Sequence, residues 1–397
     1  MRPLLTVSVL LLCLAPVRAQ SGPWDLEALR KTPRAEWLDK DGTLRRVLYE
    51  SEPFGDKPTR VFAYYAEPAK VTGKLPAMVL VHGGGGKAFA EWAQLWAKRG
   101  YIAIAMDLAG HGEGGKRLPD GGPNQDEASR FKQNELKEIW SYHAVAAVIR
   151  GHSLLRSLPN VDPDRIGITG ISWGGYLTCM VSGLDDRFKA AVPVYGCGFI
   201  HDNSAWIPTF AKMSGDWRMT WVDNFDPSKY VGRAKMPMLF VNGTNDFAYP
   251  LDSYQKTYRL VKNRNLCVTV NMPHGHQQGW APKEIGLFID QHLRGGKELF
   301  RFDNPGVRLE RKDSDIRVAL LQTLEIKSVA AHWTTDIKSP WQKRKWESRT
   351  AQCMVGNATD FFRVSLPKDR PLIYFLTATD ERGAIVSTEH ALVGQPN

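Results

Sequence analysis

Residues 166–175 have the sequence Ile-Gly-Ile-Thr-Gly-Ile-Ser-Trp-Gly-Gly, and the rest of the chain can be interpreted from this stretch. The apolar run 166–171 predicts a buried strand, and a helical pattern begins near Trp173. The motif Gly-x-Ser-x-Gly between them places Ser172 in a tight, strained turn that lifts its hydroxyl above the sheet edge. Ser172 is therefore the candidate nucleophile. The alternative is a serine that only caps the helix in a glycine-rich turn.

Similar apolar runs recur along the chain and alternate with helical patterns. The runs lie at 77–82, 101–107, 190–195, 238–242 and 266–271, and the helical patterns at 88–98, 136–155, 176–184, 251–262 and 282–294. Such runs are typical of strands that are buried on both faces. Their alternation predicts a doubly wound, mostly parallel α/β sheet within a catalytic domain at 20–299. The loops at the carboxyl edge of this sheet are expected to hold the site.

Two regions depart from this alternation. Residues 198–235 are rich in aromatic side chains and predict an insertion over the active-site edge. After residue 300 the apolar residues alternate with period two, which indicates strands rather than helices. The turn at 380–383 separates two of these segments, as in a hairpin. Residues 300–397 are therefore expected to form a small all-β sandwich.

A serine hydroxyl needs a base, and in this setting the expected order along the chain is serine, acid, histidine. Asp246 follows the strand at 238–242 and is the candidate acid. Asp252 is the rival, although its place at a helix start favours a capping role. After the strand at 266–271 come His274 and His276 in Pro-His-Gly-His. The arrangement Pro-x-Gly-His favours His276 as the base, with His274 as the alternative base.

The glycine run 83–86 follows the strand at 77–82 and leaves backbone N–H groups accessible. No Gly-Lys-Ser/Thr or Gly-x-Gly-x-x-Gly pattern accompanies it, which argues against a phosphate or dinucleotide cradle. Gly83 or Gly84 is therefore expected to supply one oxyanion donor, and Trp173 the other. Three tryptophans of the insertion are candidates for stacking on a sugar ring, although such residues more often just bury area. They are Trp206, Trp217 and Trp221.

The composition narrows the function classes. Of 397 residues, 43% are hydrophobic and 24% are charged, as in folded globular proteins. Lys and Arg number 52 against 42 Asp and Glu, giving a net charge of +10. This charge is spread along the chain without a basic run, so no nucleic-acid partner is expected. No zinc motif, C-x-x-C or tight His/Cys cluster beyond residues 274 and 276 occurs, so neither a metal, a cofactor nor a disulfide is predicted.

The first nineteen residues resemble a secretory leader. Arg2 precedes an apolar run at 4–14, and Val17-Arg18-Ala19 offers small residues for cleavage after Ala19. The run is too short to span a bilayer, so a membrane anchor is not expected. The mature protein is therefore predicted to be secreted or periplasmic.

The segment 162–175, Asp-Pro-Asp-Arg-Ile-Gly-Ile-Thr-Gly-Ile-Ser-Trp-Gly-Gly, resembles the α/β-hydrolase superfamily. The similarity extends over about 75–295. It points to the branch of acetyl xylan esterases, dienelactone hydrolase-like enzymes and prolyl oligopeptidase-type catalytic domains. The resemblance implies Ser172, Asp246 and His276 as the triad.

Two features separate the members of this branch. Dienelactone hydrolases carry cysteine at the nucleophile position, so Ser172 favours an esterase or a peptidase. The stretch before the sheet is too short for the propeller of prolyl oligopeptidase relatives, which favours an esterase. The expected function is a secreted serine esterase that removes acyl groups, acetyl first, from a small-molecule or polysaccharide ester. The alternatives are a prolyl oligopeptidase-family serine peptidase and a non-catalytic carbohydrate-binding protein on the same scaffold.

Overall fold

The computed structural model describes residues 21–321, 326–355 and 361–394, so the predicted leader at 1–19 lies outside the described residues. A nine-stranded sheet forms its centre, in the order β1-β2-β3-β5-β4-β6-β7-β8-β9. β1, β2, β3 and β5 pair antiparallel, and from β5 onward through β4 to β9 all pairs are parallel. The strands are β1 (Ala35–Trp37), β2 (Leu44–Phe54), β3 (Lys57–Ala66), β4 (Leu75–Val81), β5 (Ile102–Met106), β6 (Val161–Ile171), β7 (Ala190–Val194), β8 (Met238–Gly243) and β9 (Arg264–Thr269).

Helices connect the parallel strands, because a parallel pair needs a crossover segment. The helices are α1 (Leu26–Leu29), α2 (Ala90–Lys98), α3 (Glu127–Phe131), α4 (Trp140–Ser157), α5 (Trp173–Leu184), α6 (Ile207–Ala211), α7 (Gly215–Phe225), α8 (Leu251–Arg259), α9 (His276–Trp280) and α10 (Lys283–Arg294). Those from α2 to α8 lie between parallel strands, whereas α1 precedes the sheet and α9 and α10 follow it. The predicted fold class is confirmed. α4 begins at Trp140 rather than at 136, because residues 136–138 form a separate 3-10 turn. Within the described ranges, no helix has the length and apolarity needed to cross a membrane.

The insertion between β7 and β8 is helical. It contains α6, α7 and two short 3-10 turns, and its aromatic side chains pack on one another and on the sheet. Phe210 and Trp221 lie 5.2 Å apart between ring centroids, and both contact Phe131 of α3. The insertion therefore closes over α3 beside the carboxyl edge of the sheet.

The region after residue 300 forms two antiparallel sheets, as the period-two pattern predicted. The first sheet has the order β10-β11-β15-β14, and the second the order β13-β12-β16-β17, with β18 also paired to β16. The strands are β10 (Val307–Lys312), β11 (Asp315–Leu320), β12 (Ile326–Thr334), β13 (Glu347–Thr350), β14 (Gln352–Met354), β15 (Phe361–Ser365), β16 (Leu372–Asp380), β17 (Ile385–Ser387) and β18 (Ala391–Val393).

This C-terminal β region packs directly against the α/β sheet. Ser387 Oγ accepts a hydrogen bond from the backbone N–H of Val268 in β9, at 3.0 Å. Arg264 of β9 pairs with Glu389 at 2.7 Å. Buried residues from both parts form one continuous hydrophobic cluster. The two sheet systems therefore share a packed interface rather than being joined by a linker alone.

Buried histidines make the fold sensitive to acid. His143 of α4 is 6% exposed, and burial lowers its pKa to about 4. An unfolded histidine titrates near pH 6.5, so between about pH 6.5 and pH 4 the unfolded chain binds the proton and the folded chain does not. The free energy of unfolding then falls as the pH falls, by up to about 3 kcal/mol from His143. Urea denaturation at about pH 7 and about pH 4.5 measures this loss.

The variant His143→Gln removes this titration while keeping a polar side chain of similar size. It is expected to lose less stability than the wild type over the same pH interval. An identical pH slope for the two proteins would contradict the assignment to His143. Burial also lowers the pKa of His332 and His390 to about 4, so the variant retains part of the slope.

Candidate active site

Ser172 lies in the turn between β6 and α5. Its φ of +58° is in a region that non-glycine residues rarely adopt, and the turn is therefore strained. Backbone hydrogen bonds hold it there: Ser172 N–H donates to the Val194 carbonyl, and the Ser172 carbonyl accepts from Tyr176, both at 2.9 Å. A Cβ on Gly174 would lie 1.9 Å from the Val81 carbonyl oxygen, so only glycine allows this approach. The motif is thus a packed strand–turn–helix that presents the serine.

The structure joins Asp246 to His274. Asp246 is 2% exposed, and its Oδ2 lies 2.6 Å from His274 Nδ1. Its Oδ1 accepts hydrogen bonds from the backbone N–H groups of Ala248 and Tyr249, at 2.9 and 2.7 Å. These contacts leave the carboxylate satisfied and aimed at the imidazole. The rival acid Asp252 instead lies in the first turn of α8, where it accepts hydrogen bonds from Asn203 Nδ2 and from the backbone N–H of Ser253.

The expected pairing of Asp246 with His276 is not what the structure contains. His276 begins α9 and faces the glycine loop, where its Nε2 accepts a hydrogen bond from the Gly83 N–H at 3.0 Å. Burial, with His82 and His274 nearby, lowers the pKa of His276 to about 4. Only Gly275 separates the two histidines, and α9 starts at His276, so their side chains diverge. Spacing alone could not resolve this divergence.

Ser172 and His276 lie on the same side of Gly83. A Cβ built on Gly83 would be 2.9 Å from Ser172 Cβ and 3.2 Å from His276 Nε2. In the part of the chain that the structure describes, Ser172 Oγ makes no hydrogen bond to either imidazole. Contacts of this kind often tighten only when substrate is bound. The structure therefore holds an Asp246–His274 pair, and Ser172 lies near His276 without a hydrogen bond to either histidine.

His82 orders the glycine loop. Its Nε2 accepts from the Leu108 N–H at 2.9 Å, so Nδ1 carries the proton and donates to the Gly83 carbonyl at 2.7 Å. Because the carbonyl and N–H of a trans peptide point in opposite directions, the Gly84 N–H is turned away from His82. Gly84 lies against Trp173, whose Cδ1 is 3.0 Å from the position of a Cβ on Gly84. The predicted donors Gly84 and Trp173 are thus adjacent, while the Gly83 N–H is engaged by His276.

The three tryptophans of the insertion differ in their surroundings. Trp221 is fully buried and Trp217 is 6% exposed. Their indole N–H groups donate to the carbonyls of Arg130 and Phe131 in α3, at 2.7 and 2.8 Å. The expectation of sugar stacking does not hold for these two residues, because their faces are covered by packing. Trp206 is only partly buried, and its ring centroid lies 4.5 Å from that of Trp173.

Two residues that the sequence did not single out support the catalytic loops. The Tyr195 ring stacks on His274 with a centroid distance of 4.4 Å, and its hydroxyl donates to the Pro273 carbonyl at 2.7 Å. Asn245 Nδ2 donates to the carbonyl of Arg344 in the C-terminal β region, at 2.7 Å. Tyr195 ends a predicted strand, which was its only sequence signal. The partner of Asn245 is 99 residues away, and nothing in the sequence indicated this contact.

The arrangement is suited to acyl transfer without a metal. A serine at a helix start, an imidazole oriented by a carboxylate and a glycine loop that offers backbone N–H groups are the parts that such chemistry requires. Among the described residues, no group of three or more His, Cys, Asp or Glu side chains is arranged to hold a metal ion.

The chain is similar in sequence to esterases and peptidases. A family model described as acetyl xylan esterase (AXE1) matches residues 26–203. The acetyl esterase Axe7A of Xylanibacter ruminicola is 25% identical over 255 residues, which are 60% of this chain and 58% of that protein. The uncharacterised peptidase YuxL of Bacillus subtilis is 25% identical over 271 residues, 59% of this chain and 37% of that protein. The chain therefore spans less than two thirds of the length of these relatives.

A solved structure extends the comparison to the fold. The acetyl xylan esterase from Paenibacillus sp. R4 aligns over 68% of this chain and 92% of its own, with a TM-score of 0.53 and 20% sequence identity. Similarity at this level establishes the fold alone. Together with the strand order and the serine turn, it shows that the chain has the α/β-hydrolase fold, and residues 26–203 are similar to the acetyl xylan esterase family.

Proposed function

We propose that this chain is a serine esterase that removes short acyl groups, acetyl first, from carbohydrate. The observation that carries the proposal is the strained turn at Ser172 together with the buried carboxylate of Asp246, which is bonded to His274. A hydrolase scaffold that had lost catalysis would have no need to keep a serine in a costly conformation. The match to the acetyl xylan esterase family supports the substrate class.

In the proposed reaction, Ser172 Oγ attacks the ester carbonyl while His274 Nε2 takes its proton. Asp246 holds the imidazole in the tautomer with a proton on Nδ1 and stabilises the cation that forms. The developing oxyanion accepts hydrogen bonds from the N–H groups of Trp173 and Gly84. His274 then protonates the leaving alcohol, and water repeats the sequence to release the acyl group.

We assign the base to His274 rather than His276 on two grounds. His274 is bonded to a buried carboxylate, whereas burial and neighbouring imidazoles lower the pKa of His276 to about 4 and make it a weak base. The Nε2 of His276 is also already engaged by the Gly83 N–H. The Gly83 N–H joins the oxyanion donors only if substrate displaces this imidazole.

The substrate is tested with a panel of acetylated sugars, aryl esters and peptide amides. We expect turnover of the acetylated sugars and aryl acetates, with slow or no cleavage of the amides. Efficient cleavage of peptides but not of esters would instead establish the peptidase alternative. Release of the predicted leader after Ala19, and hence secretion, is tested by N-terminal sequencing of the exported protein.

A further inference from the structure

A cavity of about 360 Å³ lies between the α/β domain and the C-terminal β region. Its walls come from three segments far apart in the chain: residues 203–205 of the insertion, residues 247–252 of the acid loop, and residues 338–344 of the β region. Its volume falls in the range of small-molecule binding sites. The β region therefore contributes to a concave surface that the catalytic domain alone could not form.

The cavity adjoins the catalytic residues on two sides. Phe247, which lines it, directly follows Asp246, and its ring centroid lies 4.8 Å from that of His274. Ala205, on the opposite wall, directly precedes Trp206, whose ring packs against Trp173 beside the nucleophile. A substrate whose ester reaches Ser172 can thus extend into the cavity past Phe247 and Trp206.

The wall formed by residues 338–344 is held in place by hydrogen bonds. Asn245 Nδ2 donates to the carbonyls of Gln342 and Arg344, at 3.2 and 2.7 Å. Arg344 Nε donates to the Ser339 carbonyl at 2.9 Å, and its guanidinium stacks on Trp341 at 3.8 Å. The two walls are therefore tied together next to the catalytic acid, which makes the cavity preformed.

The lining has the chemistry of a sugar site. Phe247 is 58% exposed and offers an open aromatic face at the mouth. Gln342 and Lys338 add amide and ammonium groups, and Asp252 adds a carboxylate that is bonded to the Asn203 amide. Arg344 is 8% exposed, and its Nη1 has no hydrogen-bond partner within the described ranges. A buried donor without a partner costs folding free energy, and a ligand hydroxyl or carboxylate that reached it would supply the missing acceptor.

We propose that this cavity is a carbohydrate subsite that binds a sugar unit next to the one whose ester reaches Ser172. The inference rests on the proposed function and extends it, because it assigns the C-terminal β region a part in substrate recognition. A neutral sugar and a uronate present the same ring and hydroxyl groups; the cations Lys338 and Arg344 suit the carboxylate of a uronate, whereas Asp252 in the same lining opposes it.

The test measures binding without catalysis. Unacetylated xylo-, cello-, manno- and galacturono-oligosaccharides are titrated into the wild-type protein, and binding is followed by calorimetry. Ala205→Trp places an indole in the cavity from an exposed position and should weaken binding by about tenfold or more. The matched control Ala69→Trp puts the same side chain on an exposed loop after β3, at the opposite edge of the sheet, and should bind like the wild type.

Binding that Ala205→Trp weakens and Ala69→Trp preserves supports the subsite, and the preferred oligosaccharide separates neutral sugars from uronates. Absence of binding at millimolar concentrations, or equal binding by all three proteins, would overturn it. Hydrolysis of an aryl acetate is measured in parallel, because this small ester does not extend into the cavity. Aryl acetate turnover without oligosaccharide binding would contradict the subsite but not the proposed esterase activity. Oligosaccharide binding without turnover of any ester would contradict the esterase activity.

Discussion

Ser172→Ala is expected to lower kcat on an aryl acetate by on the order of 10⁴-fold or more. The substitution removes the hydroxyl oxygen that forms the acyl-enzyme. A water molecule in its place is not held in the orientation that attack on the ester carbonyl requires. The backbone should be retained, because alanine occupies the same space in the turn. The measurement is steady-state hydrolysis, together with covalent labelling of the protein by a fluorophosphonate.

The matched control is Ser157→Ala. This serine ends α4, and its hydroxyl donates to the Leu154 carbonyl at 2.7 Å, away from the catalytic edge. The control should keep activity and label normally. Esterase activity that survives in Ser172→Ala, or a fluorophosphonate adduct on another residue, would show that the nucleophile has been misassigned.

Replacing the two histidines one at a time should give very different losses. His274→Ala is expected to lower kcat by on the order of 10³- to 10⁴-fold, because it removes the base that Asp246 orients. His276→Ala should cost about tenfold or less, since its imidazole bonds only the Gly83 N–H. Asp246→Asn should resemble His274→Ala, because it disturbs the tautomer of the same ring. All three are compared with the wild type on one aryl acetate.

The reverse order of losses would restore His276 as the base, the residue that the Pro-x-Gly-His spacing favours. Equal losses from both histidine variants would also contradict our assignment. Circular dichroism of each variant separates a catalytic loss from a folding loss. His276 is the matched control for His274, because both residues belong to the Pro-His-Gly-His segment.

The sequence predicted the architecture because the hydrophobic pattern records burial directly. Runs such as 102–106 are apolar at every position since both faces of β5 are covered. The ends of helices and strands were predicted less accurately. The helical pattern at 136–155 corresponds to α4 (Trp140–Ser157), because the residues before α4 form a separate 3-10 turn. Local hydrogen bonding decides such boundaries, and periodicity does not report it.

The candidate site also contains residues that the sequence could predict and residues that it could not. The strand, the glycines and the helix around Ser172 are contiguous, so the nucleophile could be predicted from one segment. The roles of the tryptophans could not be predicted, because the sequence does not show whether an aromatic ring is partly exposed, like that of Trp206, or buried, like that of Trp221. Burial depends on which other segment packs against the ring.

The amino-acid sequence by itself determined the strand–helix alternation and the serine turn, and it predicted Asp246 as the acid, because each depends on neighbours along the chain. Only the tertiary structure decided that Asp246 bonds His274, that His276 bonds Gly83, and that residues 338–344 form a wall beside the acid loop. The two hydrogen bonds join residues that are 28 and 193 positions apart in the chain. They depend on distances of a few ångströms that result from packing the whole chain, and no local pattern of residues encodes them.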